Sequence, residues 1–144
     1  MLVKQILAQK SLRGIETIAP HAYLSEAATR LAHGRIGALI VSRDGARVDG
    51  ILSERDIVRE LGSRGADCLR ERVDAVMTRK VACCSTADAA ETVLTQMTDG
   101  RFRHMPVVEG GRMVGVVSIG DVVKARMSQI ETEKHALEDM IRGF

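Results

Sequence analysis

Ser53 and Asp56 stand in a Gly-x-x-Ser-x-x-Asp segment, and Ser118 and Asp121 stand in a second one. Each segment follows an apolar run and precedes a helical pattern, so each pair falls where a strand turns into a helix. There the hydroxyl and the carboxylate lie beside backbone N–H groups that a helix leaves without partners. Two chemistries fit this placement. Ser can act as an N-cap and Asp as a first-turn residue favoured by the helix dipole. Alternatively, an ionised Asp accepts from vicinal hydroxyls such as a ribose diol, while the helix start and the Ser hydroxyl serve a phosphate. A single copy would favour capping. Two copies shift the balance toward a duplicated binding device, because Gly, Ser and Asp coincide while the intervening residues differ.

The duplication extends beyond the motif. Gly50 to Val58 returns as Gly115 to Val123, Gly34-Arg35-Ile36 as Gly100-Arg101-Phe102, and Ala38 to Val41 as His104 to Val107. Further upstream, Val3, Ile6 and Leu7 correspond to Val73, Val76 and Met77. A long repeat present only twice indicates a duplicated small domain, not an open solenoid. The whole chain of 144 residues can bury a sizeable core, whereas each half alone would be marginal, so the halves should pack together.

The positioning elements follow from periodicity. Val3, Ile6 and Leu7 mark a short helix up to Gln9, broken at Gly14, and Ile15 to Ile18 alternates as a strand before Pro20. Ser25 is a candidate N-cap for a helix carrying Ala27, Ala28, Leu31 and Ala32, ending near Gly34. Ala38 to Val41 and Val48 to Leu52 form a hairpin around Arg43-Asp44-Gly45, followed by a helix from Glu54 to Leu61 that stops before Gly62. In the second half the order recurs: a helix over Val73 to Met77, a strand over Val81 to Cys84 and a helix over Asp88 to Thr98. Strands His104 to Glu109 and Arg112 to Ser118 then flank Gly110-Gly111, and a last helix starts near Gly120. Gly62 to Arg72 reads as a connector. The last helix carries Val123, Met127, Ile130, Leu137 and Ile141 in a heptad-like stripe with Lys134 in the missing place. That stripe either lies back across its own domain or contacts a second copy.

Composition narrows the function. With 21 basic against 19 acidic residues and no Lys/Arg block, the chain lacks the charge pattern of a nucleic-acid or membrane-surface binder. Tyr23, Phe102 and Phe144 are the only aromatics, too few for base-stacking platforms. Cys68, Cys83 and Cys84 show neither zinc-ligand spacing nor a disulfide framework, which suits a reducing cytoplasm; vicinal-thiol redox sensing at Cys83 and Cys84 stays open. The amino terminus has no secretory pattern and no apolar run is long enough to span a bilayer. His21, His33, His104 and His135 assemble into no catalytic or metal motif, and no phosphate-binding loop or nucleophile elbow appears.

The chain resembles a pair of cystathionine-β-synthase (CBS) domains, the Bateman module, of the small stand-alone bacterial type. The resemblance rests on the repeated element order, Ile36-Gly37-Ala38-Leu39, Arg103-His104-Met105-Pro106-Val107-Val108 and both Gly-x-x-Ser-x-x-Asp segments. It implies an α/β (α+β) fold of two tandem domains packed sheet-to-sheet with pseudo-two-fold symmetry. The expected division is residues 1–64 for the first domain, 65–72 for a connector, 73–127 for the second domain and 128–144 for a C-terminal helical extension. By the same resemblance, Asp56, Asp121, Ser53 and Ser118 hold ribose. Thr17, Ile18, Pro20, Ile36, Gly37 and Ala38 line one adenine pocket, and Cys83, Cys84, Thr86, Met105 and Pro106 the other. Arg55, Arg103 and His104 serve phosphate, with the two sites made unequal because Gly120 stands where the first copy has Arg55. The implied function is regulatory and non-enzymatic: a cytoplasmic homodimer that senses AMP, ATP or NAD, or else S-adenosylmethionine, without a metal and signals to an unidentified protein. The alternative is an interaction scaffold with vestigial clefts.

Overall fold

The computed structural model describes residues 1–10 and 15–143, so the break expected at Gly14 lies outside the described residues. In chain order the elements are α1 (Val3–Gln9), β1 (Thr17–Ile18), α2 (Leu24–Gly34), β2 (Ala38–Val41), β3 (Gly50–Ser53) and α3 (Glu54–Arg64). A 3-10 turn (Ala66–Arg70) follows, then α4 (Val73–Val76), α5 (Ala90–Gly100), β4 (His104–Glu109), β5 (Arg112–Ser118) and α6 (Ile119–Ile141). The result is a mixed α/β chain with one sheet ordered β1-β2-β3 and a second formed by β4 and β5. In the first sheet β1 runs parallel to β2, and β2 pairs antiparallel with β3 in a register that sets Ala38 opposite Ser53.

Packing divides the chain into two compact units that do not follow the repeats. One holds Met1–Arg13, Cys83–Val108 and Gly115–Phe144; the other holds Gly14–Ala82 and Glu109–Val114. We call them the Asp121 unit and the Asp56 unit. The short helices have been exchanged between them. α1, first in the chain, buries Val3 and Ile6 with Val93, Met97, Met105, Val107 and Val117 of the second repeat. α4, from the second repeat, buries Val73 with Leu24, Leu39, Val41 and Leu52 of the first.

Backbone hydrogen bonds explain why. A helix start has N–H groups with no partner inside the helix, and those of α1 find theirs in the second repeat: Val3 N–H donates to Asp88 C=O at 2.9 Å and Lys4 N–H to Thr86 C=O at 3.0 Å. The same arrangement serves α4, where Val73 N–H donates to Ala22 C=O at 2.7 Å and Asp74 N–H to Pro20 C=O at 3.0 Å.

Three local expectations are corrected. α2 begins at Leu24, with Tyr23 and not Ser25 at its cap; the Leu24 N–H donates to Glu71 C=O, so a tertiary contact does what a side-chain cap would. α3 runs through Gly62 to Arg64, held by Arg64 ion pairs to Glu60 and Glu71, and ends at Gly65, whose φ is +74°. Within the segment read as a connector, Cys68 is buried in the 3-10 turn and Leu69 packs on the Asp56-unit core. The strand expected over Val81 to Cys84 shrinks to one rung: Cys84 N–H donates to Pro106 C=O and Val108 N–H donates to Cys84 C=O.

Candidate functional site

Both Ser-x-x-Asp segments close as capping boxes. At the start of α3 the Asp56 N–H donates to Ser53 Oγ at 3.3 Å, and the Ser53 N–H donates back to Asp56 Oδ2 at 2.8 Å. At the start of α6 the Asp121 N–H donates to Ser118 Oγ at 3.1 Å, and the Ser118 N–H donates to Asp121 Oδ2 at 2.8 Å. The bland chemistry is therefore present in full, and each reciprocal pair satisfies two donors that a helix start leaves open. Capping engages one carboxylate oxygen in each case. A carboxylate offers about four acceptor sites, and both side chains are only partly covered, 15% exposed for Asp56 and 25% for Asp121.

In the Asp56 unit part of the expected set is brought together. β2 carries Ala38 at its start, beside β3 and Ser53, and the Glu54 N–H donates to Gly37 C=O at 2.9 Å, which draws Ile36-Gly37-Ala38 to the head of α3. Thr17 and Ile18 lie along the other edge of β2. Pro20 is half-buried, and its carbonyl already accepts from Asp74. Arg55 is exposed at the first turn of α3 and joins no ion pair among the described residues; Asp56 instead faces Arg59, one turn on, at 3.5 Å.

The Asp121 unit repeats the device. Ile119 N–H donates to Arg103 C=O at 2.8 Å, the counterpart of the Glu54–Gly37 bond, and so draws Arg103 and His104 to the head of α6. Arg103 is exposed and His104 half-buried in β4. Met105 has no exposed surface, and Pro106 is also buried. Thr86 accepts the Lys4 N–H through its carbonyl. Arg55 thus belongs to one unit, and Arg103 with His104 to the other.

Asp121 has a partner that sequence reasoning missed. The Lys10 ammonium, just past the end of α1, sits 2.8 Å from Asp121 Oδ2. Burial pushes the Asp121 carboxyl upward, but the Lys10 ammonium and the Ser118 N–H outweigh it and hold the carboxyl below its usual range. The repeat pairs Leu7 with Met77, and this correspondence places Lys80 where Lys10 would be in the other copy. Only the helix exchange brings Lys10 to Asp121, and no local pattern announces that.

The vicinal cysteines carry no activated thiolate. Burial, then the charge of Asp88 and the neighbouring Cys83, pushes the Cys84 thiol up to about 12, and burial also raises Cys83. Reactivity follows the thiolate, so both stay protonated at neutral pH. Accordingly, iodoacetamide at pH 7.5 should label buried Cys84 only after denaturation, as read by peptide mass mapping; rapid native labelling of Cys84 would contradict this. Among the described residues there is no group of His, Cys, Asp or Glu that could hold a metal ion, and no helix long and apolar enough to cross a membrane.

Duplicated strand–helix corners, each closed by a Ser–Asp capping box, define a tandem α/β repeat module. Residues 3–63 and 73–128 both match the family model for the CBS domain, and the chain belongs to that family. It is 41% identical to the CBS-domain containing protein ATU1752 from Agrobacterium tumefaciens, whose structure covers 88% of this chain and 99% of its own with a TM-score of 0.83. The CBS domain protein PAE2072 from Pyrobaculum aerophilum, solved in complex with AMP, is 27% identical with a TM-score of 0.74 over 84% of this chain and 89% of that one. The mitochondrial CBS domain-containing protein CBSX3 of Arabidopsis thaliana is 31% identical over 82% of this chain. This chain spans 59% of the length of CBSX3.

Proposed function

We propose that this chain is a non-enzymatic regulatory module that binds an adenine nucleotide of the AMP, ATP or NAD type. Asp56 with Ser53, and Asp121 with Ser118, would take the ribose hydroxyls. Thr17, Ile18, Pro20, Ile36, Gly37 and Ala38 would line adenine in one half, and Cys83, Cys84, Thr86, Met105 and Pro106 in the other. Phosphate would meet Arg55 in the first half and Arg103 with His104 in the second. The observation that carries the reading is the recurrence, in a CBS-family chain, of a partly covered carboxylate held at a helix start with acceptor capacity left over. The AMP complex of PAE2072 supports the ligand class. Binding would act by favouring whichever arrangement of the chain the ligand prefers, to the extent of its differential affinity and no further. Calorimetry with AMP, ATP, NAD and S-adenosylmethionine tests this; silence with all four would favour a scaffold.

A homodimer fits the same reading. Along α6 the stripe predicted from spacing is exposed, from Val123 and Met127 through Ile130 and Leu137 to Ile141, which is 85% exposed. Such heptad-spaced apolar surface suits a second copy of the same helix. Truncation after Met127 should shift the dimer toward monomer in sedimentation velocity at micromolar concentration, and an unchanged distribution would count against the tail's role. With Cys68, Cys83 and Cys84 as thiols, a reducing compartment such as the cytoplasm suits the protein.

A further inference from the structure

The two halves differ at one contact. Asp121 Oδ2 is shared by two donors, the Ser118 N–H at 2.8 Å and the Lys10 ammonium at 2.8 Å. Lys10 is also tethered to the strand leading into the site, donating to Val116 C=O at 2.8 Å. In the Asp56 half the counterpart Lys80 is exposed and forms no ion pair among the described residues. Asp56 has only Arg59, from its own helix, at 3.5 Å and with the Arg side chain 73% exposed. One carboxylate is thus latched by an ammonium from another element, and the other is not.

We infer that Lys10 is the specificity-determining residue of the Asp121 half, a latch that a phosphate-bearing adenine nucleotide releases and a phosphate-free adenosyl ligand does not. The inference rests on the ribose role proposed for Asp121. A ribose diol needs carboxylate lone pairs, and on Oδ2 its hydroxyls compete directly with the Lys10 ammonium. Pulling that ammonium off a partly covered carboxylate is unfavourable unless it finds another anion. A 5′-phosphate supplies one, and the flexible lysine stem lets the ammonium swing across to it while the diol takes its place on Asp121. Adenosine and a neutral 5′-thioether offer no anion. In the Asp56 half, phosphate preference comes only from exposed arginines, whose attraction is largely screened.

Titrating AMP and adenosine into the full chain carrying Asp56→Ala isolates the Asp121 half, and comparing this protein with one that also carries Lys10→Met tests the latch. With Lys10 present, AMP should bind at least about tenfold more tightly than adenosine, a difference within the range of one charge-assisted contact. Lys10→Met, which keeps the apolar stem, should bring the two affinities to within about threefold, chiefly by tightening adenosine binding, because no ammonium then competes with the diol for the carboxylate. Lys10→Arg should restore most of the preference. An AMP-to-adenosine ratio left unchanged by Lys10→Met, or no preference with Lys10 in place, would overturn the inference while leaving the ribose reading standing. If neither ligand binds any variant, and the unsubstituted chain is equally silent, the ribose reading itself fails and the latch fails with it.

Discussion

Asp121→Ala and Asp56→Ala are each expected to weaken adenine-nucleotide binding in their own half by about 1–3 kcal/mol, the usual cost of leaving polar partners unpaired. That corresponds to roughly fivefold to 150-fold in Kd, well within reach of calorimetry. Both alanine variants also open a capping box, so a loss of stability of about 0.5–2 kcal/mol should accompany them whatever the ligand does. Asn separates the two effects. Its amide oxygen can still accept the Ser53 or Ser118 N–H, but without the negative charge it is a poorer acceptor for a diol. Asp56→Asn should therefore melt close to the wild type yet bind AMP more weakly, while Asp121→Asn keeps the cap but also gives up the Lys10 ion pair. If the Asp56→Asn, Asp121→Asn double variant bound AMP as tightly as the wild type, both carboxylates would be structural only.

Asp121 carries an additional pH signature. Because its carboxyl is held below the usual range in the folded chain, the stability it contributes is present above the ordinary carboxylate pKa of about 4 and is lost as pH falls through the lowered value. Lys10→Met removes a main cause of that lowering and should move the loss upward in pH.

What the sequence could disclose depended on whether the signal was local. Gly110 and Gly111, both with positive φ, punctuate two alternating runs, and the hairpin bounds His104–Glu109 and Arg112–Ser118 were readable from them. α1 and β2 were equally legible, one from i, i+3, i+4 spacing and the other from a short apolar run. Gly62 misled because an exposed glycine with open space around it can sit inside a helix, and the actual stop lies at Gly65, where φ is positive. Ser25 misled because the start of α2 is capped by a distant carbonyl, that of Glu71. The exchange of α1 and α4 was out of reach for a different reason. A repeat reveals which residues correspond, but not which copy of a core each helix enters. Lys10 followed from that exchange, so the contact that makes the two halves unequal was invisible while the Ser–Asp pairs were plain. Arg55 against Gly120 was one asymmetry that sequence could offer, and Arg55 is a solvent-exposed side chain.

The exchange also decides why glycine opens each Gly-x-x-Ser-x-x-Asp segment. Neither Gly50 nor Gly115 has a positive φ, so backbone freedom is not the reason. A Cβ on Gly50 would meet the Met77 sulfur at 2.5 Å and the Thr78 carbonyl oxygen at 2.9 Å. A Cβ on Gly115 would meet the Leu7 methyl groups at 2.7 and 3.1 Å. Each repeated glycine is the seat of an exchanged helix, Met77 at the end of α4 and Leu7 within α1. The two seats differ in what can give way. Leu7 is half-buried and can change rotamer, whereas Thr78 is pinned by a reciprocal pair of bonds, donating to Ile51 C=O at 2.9 Å and accepting from Ile51 N–H at 3.0 Å. Gly50→Ala must therefore shift backbone and is expected to cost about 1–3 kcal/mol, the range for overpacking a filled interior. For a chain of this size that lowers the melting temperature by roughly 2–12 °C. Gly115→Ala should cost less, because only a side chain has to move. Calorimetric melts of the two variants decide the matter: a Gly50→Ala protein as stable as the wild type, or more stable than Gly115→Ala, would mean that the glycine is kept for something other than the seat of α4.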